Sequence, residues 1–190
     1  MPNANRGTSM YLGGFSSPDT LNQPLTASPA GATTQAPNQW YAPGDIGVTF
    51  EYQDKAYTVA ILDSGATSAN TVGAPAANML LFWKSYANRI VTNDYRQSIS
   101  PTSPGMAVAG VLRVTPTTIG TGGNVIAMLI KGNGITVKAG TTAIGAVMAN
   151  TAANTASVVT ATTTLMQIGH ATTADAAGVA TVNVDIPQLP

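Results

Sequence analysis

The chain contains no cysteine and one histidine, His170. Without thiols there is no disulfide framework and no thiolate metal site. With a single imidazole, a Ser-His-Asp triad or a multi-histidine metal centre would need a second chain. Charge is equally scarce. Eight Lys and Arg balance eight Asp and Glu, so that 8% of 190 residues are charged and the net charge is zero; about a quarter is usual. The cations are scattered, and phosphate neutralisation needs them clustered, so no nucleic-acid partner is expected. No run approaches the ~20 apolar residues of a membrane span, and no membrane partner is expected. Met1-Pro-Asn-Ala-Asn-Arg6 has no apolar segment behind it like that of a secretory signal, so synthesis in the cytoplasm is expected. The acidic residues never fall at calcium-loop spacing. Gly120-Thr-Gly-Gly-Asn124 lacks the Lys-Ser/Thr of a phosphate loop and precedes a strand, and is read as a turn. No cofactor and no metal are expected.

Aromatic residues are few and unevenly placed. Nine of the eleven lie between Trp40 and Arg96, and none follows Tyr95. Within that stretch apolar and polar residues alternate through Val48, Phe50 and Tyr52, and again around Tyr57, Val59 and Ile61. Period-2 alternation of aromatic and β-branched residues predicts half-buried strands. Gln53-Asp54 between them predicts a two-residue turn, although without the usual glycine. Further strands are predicted at Met79–Trp83 and Arg89–Thr92. With 150–250 Å² of surface on each aromatic, this region is the expected nucleus of the core.

Residues 1–44 carry two charges and six of the twelve prolines. Proline fixes φ and lacks an N–H, which excludes a regular helix or a central strand here. The segment is read as an extended N-terminal arm, with Tyr11, Leu12, Phe15, Leu25, Trp40 and Tyr41 as candidate contacts to a partner surface. Deleting residues 2–38 is then expected to leave the rest folded, with its melting temperature nearly unchanged. Residues 45–190 are read as a β-rich domain with a candidate subdomain break near 97–105, where Pro101, Pro104 and Gly105 interrupt the pattern. Beyond it, short apolar runs alternate with turn signals: Met106–Val114, Asn124–Lys131, Ile135–Lys138, Ala143–Met148, Ser157–Thr160, Leu165–His170 and Val179–Ile186. Asn133-Gly134 predicts a hairpin between two of these runs. Helix is conceivable only at Ala74–Leu81 or Thr141–Thr155. His170, at the end of an apolar run, is expected to be partly buried. The fold class is all-β: a sandwich or barrel-like domain of short antiparallel strands behind the arm.

One stretch resembles a catalytic motif. Ala60-Ile-Leu-Asp-Ser-Gly-Ala-Thr67 is similar to the active-site loop of retroviral-type aspartic proteases, in which two carboxylates share a proton. That resemblance implies Asp63 as catalytic carboxylate, Gly65 at the tight turn and Ser64 bonded behind, with Ala143-Ile144-Gly145 as the downstream apolar-apolar-Gly element. The alternative is a strand ending in a turn that the Asp side chain caps.

A longer resemblance covers residues 44–187. The pieces are Gly44-Asp-Ile-Gly-Val-Thr-Phe-Glu-Tyr52, Lys55–Thr67, Leu81-Phe-Trp-Lys84 and Ile90-Val-Thr-Asn-Asp94. Val108-Ala-Gly-Val-Leu-Arg113, Lys131-Gly132, Val137-Lys138, Ile168-Gly-His-Ala171 and Val182-Asn-Val-Asp-Ile-Pro187 follow. In this order they resemble the capsid decoration (cement) proteins of tailed bacteriophages. The resemblance implies a non-enzymatic structural protein of the virion, on the outer capsid surface. Its partners would be the major capsid protein and its own copies, in a homotrimer, and Asp63 would stand in a structural turn. An all-β adhesin or fibre module and the protease are the other readings of the residues.

Overall fold

The computed structural model describes residues 17–25, 46–67, 72–101, 107–149, 156–161 and 167–187. It is all-β, and no α-helix occurs among these residues. In chain order the strands are β1 (Asn22–Pro24), β2 (Thr49–Tyr52), β3 (Lys55–Leu62), β4 (Leu80–Ser85), β5 (Ile90–Thr92) and β6 (Val108–Val111). They continue as β7 (Asn124–Lys138), β8 (Gly145–Ala149), β9 (Val158–Thr160), β10 (Gly169–Ala171) and β11 (Val179–Asp185). β3 pairs with β5, β5 with β4, β4 with β6, β6 with β7 and β7 with β3, which closes a five-stranded barrel. Only the β3–β5 pair is parallel in that ring. β11, β10, β8 and β9 extend the sheet from β7 in that order.

The strand period of two sorts the barrel residues into two cores. Ala60 and Leu62 of β3, Leu81 and Trp83 of β4, Val91 of β5, Ala109 of β6, and Ile126 and Met128 of β7 fill the interior. Their neighbours in sequence, among them Tyr57, Val59, Leu80, Phe82, Val111 and Leu129, point outward into a second cluster shared with β8, β10 and β11. Both faces of these strands are therefore dry, which is why Val125–Ile130 and Leu80–Trp83 read as unbroken apolar runs. Beyond Lys131 only one face of β7 is covered, and its burial alternates.

The hairpin β2–β3 forms as the alternation predicts. Gln53 and Asp54 both take positive φ, 48° and 60°, the primed-turn geometry that matches strand twist and that glycine adopts more cheaply. The hairpin expected at Asn133-Gly134 does not form. β7 runs straight through the dipeptide as one 15-residue strand. Val182 pairs with Ile135 and Val184 with Gly132, so Asn133 and Gly134 together oppose Asn183 as a bulge. Gly134 has φ of 65°, and its N–H donates to the Asn183 side chain at 3.0 Å. The same φ > 0 preference serves a bulge as well as a turn.

Of the candidate break near 97–105 the structure shows that the strands before and after it, β4 and β6, pair with each other. Two other expectations are corrected. His170 is exposed, because β10 buries its neighbour Ala171 and alternation turns His170 outward. Part of the supposed arm also belongs to the body: β1 pairs with β7, and Leu21 and Leu25 are 0% and 8% exposed in the outer core. Prolines permit this because β1 is an edge strand and Pro18 opens a 3-10 turn, where no N–H is missed.

Candidate functional site

The Ser17–Leu25 segment and its seat are the most elaborate polar construction of the described residues. Ser17 starts it: its Oγ accepts from the Asp19 N–H at 3.2 Å and caps the turn Pro18–Thr20. The turn sets Asp19 over the beginning of β3. There Asp19 Oδ1 accepts from the Tyr57 hydroxyl at 2.9 Å and from Arg113 Nε at 3.4 Å, while Oδ2 accepts from Lys55 Nζ at 3.3 Å. Arg113 also donates to Asn78 Oδ1 at 2.8 Å and to the Thr136 carbonyl at 3.1 Å. One carboxylate thus ties the segment to β3, the end of β6, the approach to β4 and β7. Burial, and then the hydrogen bond to Asp19, push the Tyr57 phenol well above its ordinary pKa, so it remains a donor.

The other end of the segment is held by main chain. Asn22, Gln23 and Pro24 pair with Ile126, Val125 and Asn124. The Leu25 N–H donates to the Gly123 carbonyl at 2.8 Å, and the Gly122 N–H returns a bond to the Leu25 carbonyl at 3.0 Å. Asn124 Nδ2 donates to Asn22 Oδ1 at 2.6 Å and to the Thr118 carbonyl at 2.8 Å. The turn at Gly120–Asn124, legible in sequence only as a turn, is the receiver for Leu25. Gly123 is required there: φ is 89°, and a Cβ would lie 2.2 Å from the Leu62 carbonyl oxygen. A ladder, two buried leucines four residues apart and a charged clasp are the elements with which domains bind extended peptides.

Asp63 sits in a different environment. Its N–H donates to the Val91 carbonyl, its carbonyl accepts from Ala66, and its Oδ2 meets Lys84 Nζ at 2.7 Å. Lys84 reaches Gln97 as well, at 3.3 Å. A Cβ at Gly65 would come within 2.9 Å of Asp63 Oδ2, so glycine leaves room for the carboxylate. The partner of the Asp63 carboxylate is thus a lysine, where a protease dyad would place a second carboxylate. Ala143-Ile144-Gly145 leads into β8, separated from β3 by β7, β11 and β10 in the sheet, so the structure does not bring the two pieces together within one chain. Asp94 is likewise engaged, with Arg96 Nε at 3.1 Å and the Arg96 N–H at 3.1 Å.

Of the residues expected to touch a partner, Leu25 faces its own core; Tyr11, Leu12, Phe15, Trp40 and Tyr41 lie outside the described residues. Among the described residues no three His, Asp or Glu side chains form a group that could hold a metal. The Arg89 guanidinium lies 4.1 Å from the centre of the Tyr86 ring, which meets Trp83 edge-on at the barrel wall. No protein-family model matches the sequence, and no curated protein matches it.

Proposed function

We propose that this chain is a structural protein of a tailed-phage head, bound to the outside of the shell and reinforcing contacts between major capsid protein subunits. What carries the reading is where the segments that resemble decoration proteins fall. Thr49–Tyr52, Lys55–Leu62, Leu81–Lys84, Ile90–Thr92, Val108–Val111 and Val182–Asp185 lie in strands of one continuous sheet, met in the same order. The resemblance lies on the framework, and Asp63 within it is spent on an ion pair with Lys84.

A body of this kind suits the task physically. Internal DNA pressure pushes a shell outward, and a protein that binds one shell state stabilises it by mass action. A near-neutral surface lets many copies sit side by side without mutual repulsion. The partners of this reading are the major capsid protein and further copies of the chain, as a trimer matching the local symmetry of a shell. The location is the outer capsid surface, reached after synthesis in the host cytoplasm.

The test is sedimentation of purified protein with heads that lack it. Co-sedimentation with expanded heads, and none with unexpanded ones, is the expected result. Absence of binding to either form would remove the shell reading, and a strict monomer both free and on shells would remove the trimer.

A further inference from the structure

We propose that Ser17–Leu25 is an exchangeable strap: the seat that holds it can take the same segment from a second copy of this chain. The inference stands apart from the shell reading and rests on three observations.

First, the strap fills a defined vacancy in the edge of β7. Along that edge β6 pairs at Leu129, and β11 pairs from Lys131 onward. The remaining stretch, Asn124–Ile126, is taken by β1. The opposite edge of the same residues is already bonded to β3. The seat is therefore a slot one short strand long.

Second, the slot recognises its occupant through ends and side chains that the strap carries by itself. Asp19 enters the clasp of Lys55, Tyr57 and Arg113, while Leu21 and Leu25 enter the outer core. Every one of these contacts is preserved when the strap comes from another copy.

Third, the tether is far longer than the closed arrangement needs. Leu25 bonds Gly123 beside Leu62, and Gly47 bonds Val59, three residues earlier on β3. Leu25 and Gly47 are about 10 Å apart along the strand and, with β7 and β3 between them, about 14 Å apart across the sheet. Twenty residues, 26–45, join the two ends, and twenty residues can span up to roughly 66–72 Å. A domain of this length is roughly 40 Å across, so a strap can cross to the slot of a copy packed alongside. Exchange of an identical element changes no contact and loses only the local concentration of the tethered strap. For a link of twenty residues that concentration is at most in about the mM range. Crowded or co-assembled copies match it.

Because the chain has no cysteine, introduced thiols report the exchange directly. Gln23 and Val125 are ladder partners, at the spacing of about 4.5–5.5 Å that a disulfide bridges. Full-length Gln23→Cys and Val125→Cys variants are unfolded together in denaturant, refolded at a series of protein concentrations, oxidised and run on a denaturing gel. The expected product is a disulfide-linked pair of unlike chains, several-fold above the amount formed with exposed Ser64→Cys in place of either variant, and rising with concentration. Unlike-chain product equal to the Ser64→Cys control at every concentration overturns the proposal. The double variant, Gln23→Cys with Val125→Cys, closes within one chain when the slot has formed, and so verifies folding. Should either single variant not fold, Asn22→Cys and Ile126→Cys, the neighbouring ladder pair, give the same readout. Exchange seen without shell binding would sink the shell reading alone, and shell binding without exchange would sink this one.

Discussion

Tyr57 donates a 2.9 Å hydrogen bond to Asp19, 38 residues earlier in the chain. The phenol is almost fully buried and its acceptor is a carboxylate. Both circumstances hold the proton on, burial more than the bond. In the unfolded chain the same phenol loses its proton near pH 10. Above that pH the unfolded state binds fewer protons than the folded one, so stability falls as pH rises. The contribution is complete below about pH 10 and is lost on the way up to the raised folded value. Denaturant midpoints from pH 8 to 11 should fall more steeply for the natural chain than for Tyr57→Phe. Parallel curves would mean that Tyr57 titrates alike in both states.

Asp19→Ala should cost about 1.5–3 kcal/mol, the usual worth of a hydrogen bond to a charged group. It leaves the Tyr57 hydroxyl without this acceptor and two cations without their carboxylate. Urea unfolding measures it. A change no larger than that of an exposed ion pair would show that the clasp contributes little.

Removing residues 1–25 deletes Leu21, Leu25 and β1 together, and uncovers the edge of β7. A chain of this size loses about 2–4 °C of Tm per kcal/mol. Calorimetry should show a fall of at least that size, in contrast to the neutral deletion expected of a detached arm. An unchanged melting curve would return Ser17–Leu25 to the status of an accessory.

Asp63→Asn should be mild, below about 1 kcal/mol, since the Lys84 side chain is well exposed and such pairs are screened. Asn supports the same turn, so binding to shells should persist. Pepstatin-sensitive cleavage of a peptide, lost with this substitution, would establish catalysis instead.

Two glycines with positive φ should respond differently to alanine. At Gly134 there is nothing within 4 Å of a new Cβ, and the cost is backbone strain of about 1–2 kcal/mol. At Gly123 the Cβ overlaps the Leu62 carbonyl, so β3, β7 and the strap must all shift. Gly123→Ala should give little folded protein, whereas Gly134→Ala should unfold cooperatively at a slightly lower midpoint. Equal yields and midpoints would contradict the packing around Gly123.

The strands whose burial alternates, β2 and β11, were legible because each position reveals its face. Val125–Ile130 was legible as a buried strand but not in its length, since Asn133-Gly134 marks positive φ without saying whether the chain reverses. Whether strands close into a ring is set by the β3–β7 pairing, more than sixty positions apart, and no local pattern encodes it. β1 was invisible for a related reason. Asn22-Gln23-Pro24 has no apolar alternation, and the reasons it docks lie elsewhere, in Gly123, Asn124 and the clasp. Asp19 meets partners 36, 38 and 94 positions away. The sharp motif around Asp63 was legible as a turn, and its ion pair with Lys84 was not.

The place of β7 in the chain dictates an order of assembly during synthesis. This strand supplies partners to β1, β3, β6 and β11, and it is the last of the five barrel strands to leave the ribosome. Until residue 131 has emerged, β3 presents an unpaired apolar edge from Tyr57 to Leu62, and until Asn124–Ile126 have, the strap has nowhere to dock. Such edges pair with one another when chains meet, and pairings between distant segments form slowly. Polysomes, which hold many unfinished copies close together, are therefore where this protein is most exposed to aggregation. Slower elongation through residues 100–140 prolongs that exposure, and a lower yield of soluble protein is its cost.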